Sequence, residues 1–257
     1  MSAQRDVLRI GVVNPNASST ATALIARDAR AAAPEVALQV VGAPDGPTGI
    51  DGPLDAARAG ASAVDLVASL APSVDALVLA CGNDPGLDGC RQATDQPVVG
   101  CAEAGMHLAS LVAARFSIVV LSPAKATAMR RLAIAYGHRD RLASIVAMDT
   151  APEAVFATPT AELGALVEAG RHARDHDLAE ALVLPGAAMS ALAPPLSTAL
   201  GIPVVAGLPA AVRMAVATAH LGLRTSGAHS YRRRPGAVAS PSSDGAAGSV
   251  PTAGAPA

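Results

Sequence analysis

Cys81, Cys90 and Cys101 are the only thiols in the chain, and one of them stands where a thiol could do chemistry. Cys81 closes the apolar run Ala76–Ala80 and opens Gly82-Asn83-Asp84-Pro85-Gly86, a turn-forming stretch that leads into a helix start. Backbone N–H groups there are free to hold an anion, and a following helix N-terminus is expected to lower the thiol pKa from about 8.5. A thiolate beside an oxyanion site is what removal of a proton next to a carbonyl requires. The position suits equally well a small buried hydrophobe that ends a strand. Cys90, which follows Gly89 a helical turn or more past that loop, and Cys101, which takes the place of an aliphatic residue after Val98-Val99-Gly100, are expected to pack. No pair has C-x-x-C spacing, and the six histidines are scattered. His172 and His176, four apart on a charged helical stretch, read as a solvated face, so no metal is expected. The Gly82–Gly86 loop lacks the lysine of a phosphate-binding loop, and no G-x-G-x-x-G follows the first strand, so no nucleotide cofactor is expected either.

The elements that must hold this loop alternate between short β-branched runs and Ala/Leu-rich stretches, the pattern of a parallel sheet flanked by helices. Strands are expected at 8–13, 36–41, 76–81, 98–100, 117–121, 145–148, 181–184 and 204–205. Helices are expected up to about Ala33 behind a Ser18 or Ser19 cap, and from beyond Asp51 to about Leu70. Others fall at 102–114, 124–136, 160–175 and 210–221. Ligands of open parallel sheets bind at the loops after the strands. This brings in Asn14 to Ser19, Ser122-Pro123 and Pro185-Gly186-Ala187-Ala188 beside the Cys81 loop, with Asn14, Gly82, Asn83, Ser122, Gly186 and Ala187 as candidate substrate contacts.

The chain also repeats itself. Arg9–Pro15 matches Ser117–Pro123, Asp75–Leu79 matches Glu180–Leu184, and Gln96–Val99 matches Ile202–Val205, at offsets of 105 to 108 positions. Three landmarks in constant order argue for a duplicated α/β unit, two lobes facing each other across a cleft. The expected lobes are residues 1–115 and 116–224, with the C-terminal helix free to cross back onto the first. Residues 225–257, rich in Gly, Ala, Ser and Pro around the basic cluster Arg232–Arg234, are expected to be disordered.

Composition fits this architecture and excludes others. The 257 residues are 51% hydrophobic but 2% aromatic, so the core must be built from Ala, Val, Leu and Ile. A net charge of −2 gives no case for nucleic acid or an anionic membrane, and there are too few rings to stack bases. With no secretory leader pattern, no long apolar run and three unpaired cysteines, the expected location is the cytoplasm.

From about Leu8 to Tyr231 the sequence resembles the hydantoin racemase branch of the aspartate/glutamate racemase superfamily. The carriers are Val13-Asn14-Pro15-Asn16, Gly49-Ile50-Asp51-Gly52-Pro53, Ala80-Cys81 with Asp84-Pro85-Gly86-Leu87, and Pro97-Val98-Val99-Gly100 with Glu103-Ala104. Arg115-Phe116-Ser117, Tyr136-Gly137 and Leu221–Ser226 complete them. The resemblance implies two pseudo-symmetric α/β lobes, a cofactor-free site between them, a small-molecule substrate and a homo-oligomer. It also implies a pair of cysteines on opposite faces of a carbon acid, one removing the α-proton and the other reprotonating the planar intermediate. Cys81 matches the first. The 105-residue offset carries the second to Gly186, where the family's Gly-Cys-Ala-Gly-Met reads Pro185-Gly186-Ala187-Ala188-Met189. The family's Thr-Thr pair is Val120-Leu121 here, with Ser122 the nearest hydroxyl. The resemblance therefore implies a carbon-acid racemase altered on one face. The alternatives are a single-thiol lyase similar to arylmalonate decarboxylase, with the thiol in the opposite lobe, or a small-molecule binder that has lost its chemistry.

Overall fold

The computed structural model describes residues 7–150 and 159–233. It contains two four-stranded parallel sheets with the same strand order. In the first, β2 (Ala37–Gly42), β1 (Arg9–Asn14), β3 (Ala76–Leu79) and β4 (Val98–Gly100) lie side by side. In the second, β6 (Leu142–Ala147), β5 (Phe116–Val120), β7 (Ala181–Leu184) and β8 (Val204–Ala206) repeat that arrangement. The duplication read from the offsets is thus a structural one, and all eight expected strands are present. The central strands β1, β3, β5 and β7 are buried on both faces apart from Arg9, which explains why they read as unbroken Val/Leu/Ile runs rather than alternating ones.

The helices are α1 (Ser19–Ala32), α2 (Pro53–Leu70), α3 (Leu87–Ala93), α4 (Cys101–Val112), α5 (Pro123–Ala135), α6 (Pro159–Asp175), α7 (Ala193–Leu200) and α8 (Gly207–His220). Ser18 caps α1, its hydroxyl accepting from the Ala21 N–H at 3.2 Å. At the start of α2 the Asp55 carboxylate accepts from the Gly52 N–H at 3.3 Å, so Asp51 precedes the helix without capping it.

Helix α4 joins the lobes. Cys101 and Ala104 pack into the core of the first sheet, whereas Ala102, Met106 and Ala109 pack on Phe116, Ile118 and Val183 of the second. Apolar residues around most of its circumference are what a helix held between two sheets requires. Helix α8 follows the last strand of the second sheet, yet Leu208, Ala211, Val212 and Ala215 are buried with Ile10, Val12 and Val78 of the first. Alanine-rich helices let these layers approach closely, which is how a core whose one phenylalanine among the described residues is Phe116 fills its volume.

Two sequence expectations need correction. Strand β3 ends at Leu79, so Cys81 lies beyond the ladder, its N–H donating to the Leu79 carbonyl at 3.0 Å. Residues 225–233, assigned to a disordered tail, are held on the body. The Thr225 hydroxyl donates to the Gln96 carbonyl at 2.7 Å, the Tyr231 hydroxyl to Asp88 at 2.7 Å, and Arg233 pairs with Asp95. Polar bonds to the α3–β4 region do there what apolar burial could not. Residues 234–257, including Arg234, lie outside the described part.

Candidate active site

The carboxyl ends of both sheets open onto one interlobe cavity of about 420 Å³. Its walls come from the loops after β1 (Asn16, Ser18), β2 (Thr48, Gly49, Ile50) and β3 (Ala80, Cys81, Gly82). The second lobe adds Leu121 after β5, Lys125 in the first turn of α5, and Gly186, Ala187 and Ala188 after β7. A narrow extension of about 70 Å³ reaches Asn83, Val120, Pro185 and Met189 and shares Cys81, Gly82, Lys125 and Gly186 with the main cavity. The shared residues put the first-lobe thiol loop against the second-lobe loop that carries its symmetry mate.

That contact depends on glycine. A Cβ built on Gly82 would lie 2.9 Å from the backbone nitrogen of Gly186 and 2.9 Å from the carbonyl carbon of Pro185, a distance neither backbone can relieve. Gly186 is the opposite case: it has φ −81°, ψ 139°, and the nearest atom to an added Cβ is the Met189 Cε at 3.9 Å. The wall facing the Cys81 loop is therefore open where the family pattern places a second thiol.

Of the sequence candidates, Cys81, Gly82, Gly186 and Ala187 line the main cavity and Asn83 lines the extension. Asn14 and Ser122 do not line either. Asn14 is fully buried, its Nδ2 donating to Asn16 Oδ1 at 3.1 Å and to Thr22 Oγ1 at 2.9 Å. It shapes the loop that presents Asn16 and Ser18. Ser122 caps α5, accepting from the Ala124 N–H at 3.2 Å, and faces a neighbouring groove. Lys125, Thr48 and Ile50 were not singled out as contacts, because nothing in their local sequence marks them; the turn of α5 and the long β2–α2 connection bring them in. Cys90 and Cys101 are fully buried in the core. Among the described residues no group of three or more His, Cys, Asp or Glu converges as a metal site.

Behind the thiol loop sits a buried carboxylate that sequence reading missed as a structural centre. Asp84, at φ 43°, accepts from the N–H groups of Ala102 (3.1 Å) and Glu103 (2.8 Å) at the start of α4 and from the Tyr136 hydroxyl (2.9 Å) at the end of α5. It thus fastens the Cys81 loop to the helix between the lobes and to the second lobe itself. Gly100 leaves room for it, since a Cβ there would lie 2.5 Å from the carboxylate. Burial pushes the Asp84 carboxyl up to about 7 against the pull of these three donors. Asp84→Ala strands all three and should lower stability by about 2–4 kcal/mol. Thermal unfolding checks this; an unchanged midpoint would mean the loop is held by other contacts.

The expectation of a depressed thiol pKa at Cys81 is not met. Desolvation pushes it up to about 11, assisted by the Asp84 carboxylate and opposed by the Asn83 N–H and the Lys125 ammonium. Burial is the largest cause, and the helix expected to draw the thiol down is too far along the chain: α3 begins only at Leu87, with its own cap at Gly86, beyond the whole Gly82–Gly86 loop. The neutral thiol is the favoured form below pH 11, and the thiolate fraction grows as pH rises through that value. Alkylation of Cys81 by iodoacetamide in the free protein should therefore keep accelerating tenfold per pH unit beyond pH 9. A plateau by pH 9 would show a thiol with an ordinary or lowered pKa.

The comparisons with known proteins agree with this fold. The sequence profile of the family described as Asp/Glu/Hydantoin racemase matches residues 10–215. The chain belongs to that family. Family membership places it among the isomerases. It is 38% identical over 229 residues to a hydantoin racemase of Paenarthrobacter aurescens, covering 88% of this chain and 97% of that protein. The solved structure of an allantoin racemase from Klebsiella pneumoniae superimposes with a TM-score of 0.84 at 34% identity, over 88% of this chain and 94% of the other. Unliganded arylmalonate decarboxylase shares the fold, with a TM-score of 0.57 at 20% identity over 83% and 93% of the two chains. No helix among the described residues is long and apolar enough to cross a membrane.

Proposed function

We propose that this family member racemises a carbon acid of the 5-substituted hydantoin type without a cofactor, using Cys81 as its one positioned acid–base group. The observation that carries the reading is the pairing of Cys81 with an open Gly186 wall in a cavity built from both lobes. The names of its relatives supply the substrate class.

In this reading the substrate ring lies between the two loops with its α-carbon against the Cys81 sulfur. The thiolate takes the α-proton from that face, and the electron pair moves onto the adjacent carbonyl oxygen as an enolate. Amide and hydroxyl groups of Asn16, Ser18 and Thr48 supply hydrogen bonds along the first-lobe wall. If the resulting Cys81 S–H first trades its proton with water in the cleft, it delivers a solvent proton to the same face, giving exchange with retention; return of the original proton leaves the substrate unchanged. Inversion needs a proton from the other face, and water in the space beside Gly186 delivers it. An unpositioned donor there costs about 10²–10⁴ in rate relative to a placed thiol.

The reading is tested by incubating the protein in D₂O with one enantiomer of a 5-substituted hydantoin and following α-deuteration and optical rotation together. Deuteration with slower loss of rotation is the expected result. Absence of exchange from either enantiomer across several 5-substituents would overturn it. Protonation of one face after decarboxylation of an arylmalonate would then assign the single-thiol lyase, a reaction that the lone Cys81 in the cavity also fits.

A further inference from the structure

Lys125 is the one charged side chain, among the described residues, that lines the main cavity or its narrow extension. It belongs to the first turn of α5, where a cation opposes the helix dipole. Its side chain is 18% exposed, and among the described residues its ammonium donates no hydrogen bond. Its nearest carboxylate, Asp51, is 3.8 Å away and itself 60% exposed. The ammonium stands between the cavity that holds Cys81 and a neighbouring groove lined by Asp51, Asp55 and Asp149, so among the described residues it is the one positive charge available to an anion that enters the cavity.

We propose that Lys125 is the substrate-anion anchor of this cleft: it holds an oxyanion of the substrate within reach of Cys81. The proposal rests on the assignment of the cavity as the catalytic site and adds the chemical class of group that it selects. The oxyanion has two sources. One is a carboxylate on the ring substituent, as in hydantoin-5-acetate; the other is the enolate oxygen that forms as the α-proton leaves. Either way, a positive charge enters from the second lobe, the lobe that has no thiol at position 186. The Coulomb influence of Lys125 on the Cys81 thiol, which it draws downward, is consistent with their facing one another.

The test compares alkylation of Cys81 by iodoacetate and by iodoacetamide, read from the Cys81 peptide by mass spectrometry. Taking the ratio of the two rates cancels any change in thiolate fraction. Relative to a free thiol in the same buffer, the native protein should favour iodoacetate, and Lys125→Met and Lys125→Gln should each lower the ratio about tenfold. A ratio unchanged within twofold in a folded variant overturns the proposal. This readout needs no turnover, so it stands or falls separately from the racemase reading. Where exchange of hydantoins is observed, a preference for hydantoin-5-acetate over 5-propylhydantoin that collapses in Lys125→Met through KM assigns the substituent carboxylate. An equal fall in kcat for both substrates assigns the enolate oxygen.

Discussion

Replacing Cys81 with serine should reduce α-proton exchange by about 10²–10⁴-fold, the usual worth of a positioned acid or base. Serine keeps the size of the side chain and the backbone bonds of the loop, but its hydroxyl does not ionise in the working pH range. The loss should therefore fall on kcat, with little change in the thermal midpoint, since Cys81 belongs to none of the buried apolar clusters of the two lobes. Raising the pH should not rescue the variant, whereas the native protein should gain activity as the Cys81 thiol ionises toward pH 11. A Cys81→Ser protein that exchanges within threefold of the native rate would remove the thiol from the mechanism.

Gly186→Cys is expected to have an effect of similar size in the opposite direction. The backbone at 186 already has dihedrals open to any L-residue, and a Cβ there meets nothing closer than 3.9 Å. The new thiol would face the Cys81 loop across the narrow extension, on the side where the mechanism otherwise relies on water. Racemisation should rise by about 10²-fold or more, and exchange and inversion should come into step. Gly186→Ala is the control: it fills the same space without supplying a proton and should give no gain. A folded Gly186→Cys protein with a titratable new thiol and no faster inversion would show that the wall at 186 does not face the reacting carbon.

The eight strands were legible because parallel strands covered on both faces must be apolar throughout, and the duplication was legible because each half repeats the same three runs. Cys81 and Gly186 could be paired once the family resemblance implied a second thiol and the 105-residue offset located its position. What escaped the sequence depends on partners far along the chain. Asp84 looks like an ordinary turn residue until Ala102, Glu103 and Tyr136, 18 to 52 positions away, converge on it. Lys125 looks like a helix-surface lysine, and only the packing of α5 against the opposite lobe turns its first turn into a cavity wall. Asn14 looked like a substrate contact because it ends a strand, but its amide is committed to Asn16 and Thr22 inside the protein. Thr225 to Arg233 had the composition of a solvated tail, and composition does not report hydrogen bonds to Gln96 and Asp88.

The central claim is that a single positioned thiol works on one face of the carbon acid. The most direct measurement is the ratio of α-deuterium exchange to inversion, taken separately for each pure enantiomer of a 5-substituted hydantoin. The enantiomer whose α-hydrogen faces Cys81 should exchange many times faster than it inverts, because D₂O in the cleft replaces the hydrogen on the Cys81 sulfur and the S–D then deuterates the face the thiolate cleared. The other enantiomer should exchange slowly and mostly with inversion. Exchange equal to inversion for both enantiomers, at comparable rates, would mean that a second group as effective as Cys81 stands on the opposite face, and would contradict the one-thiol account.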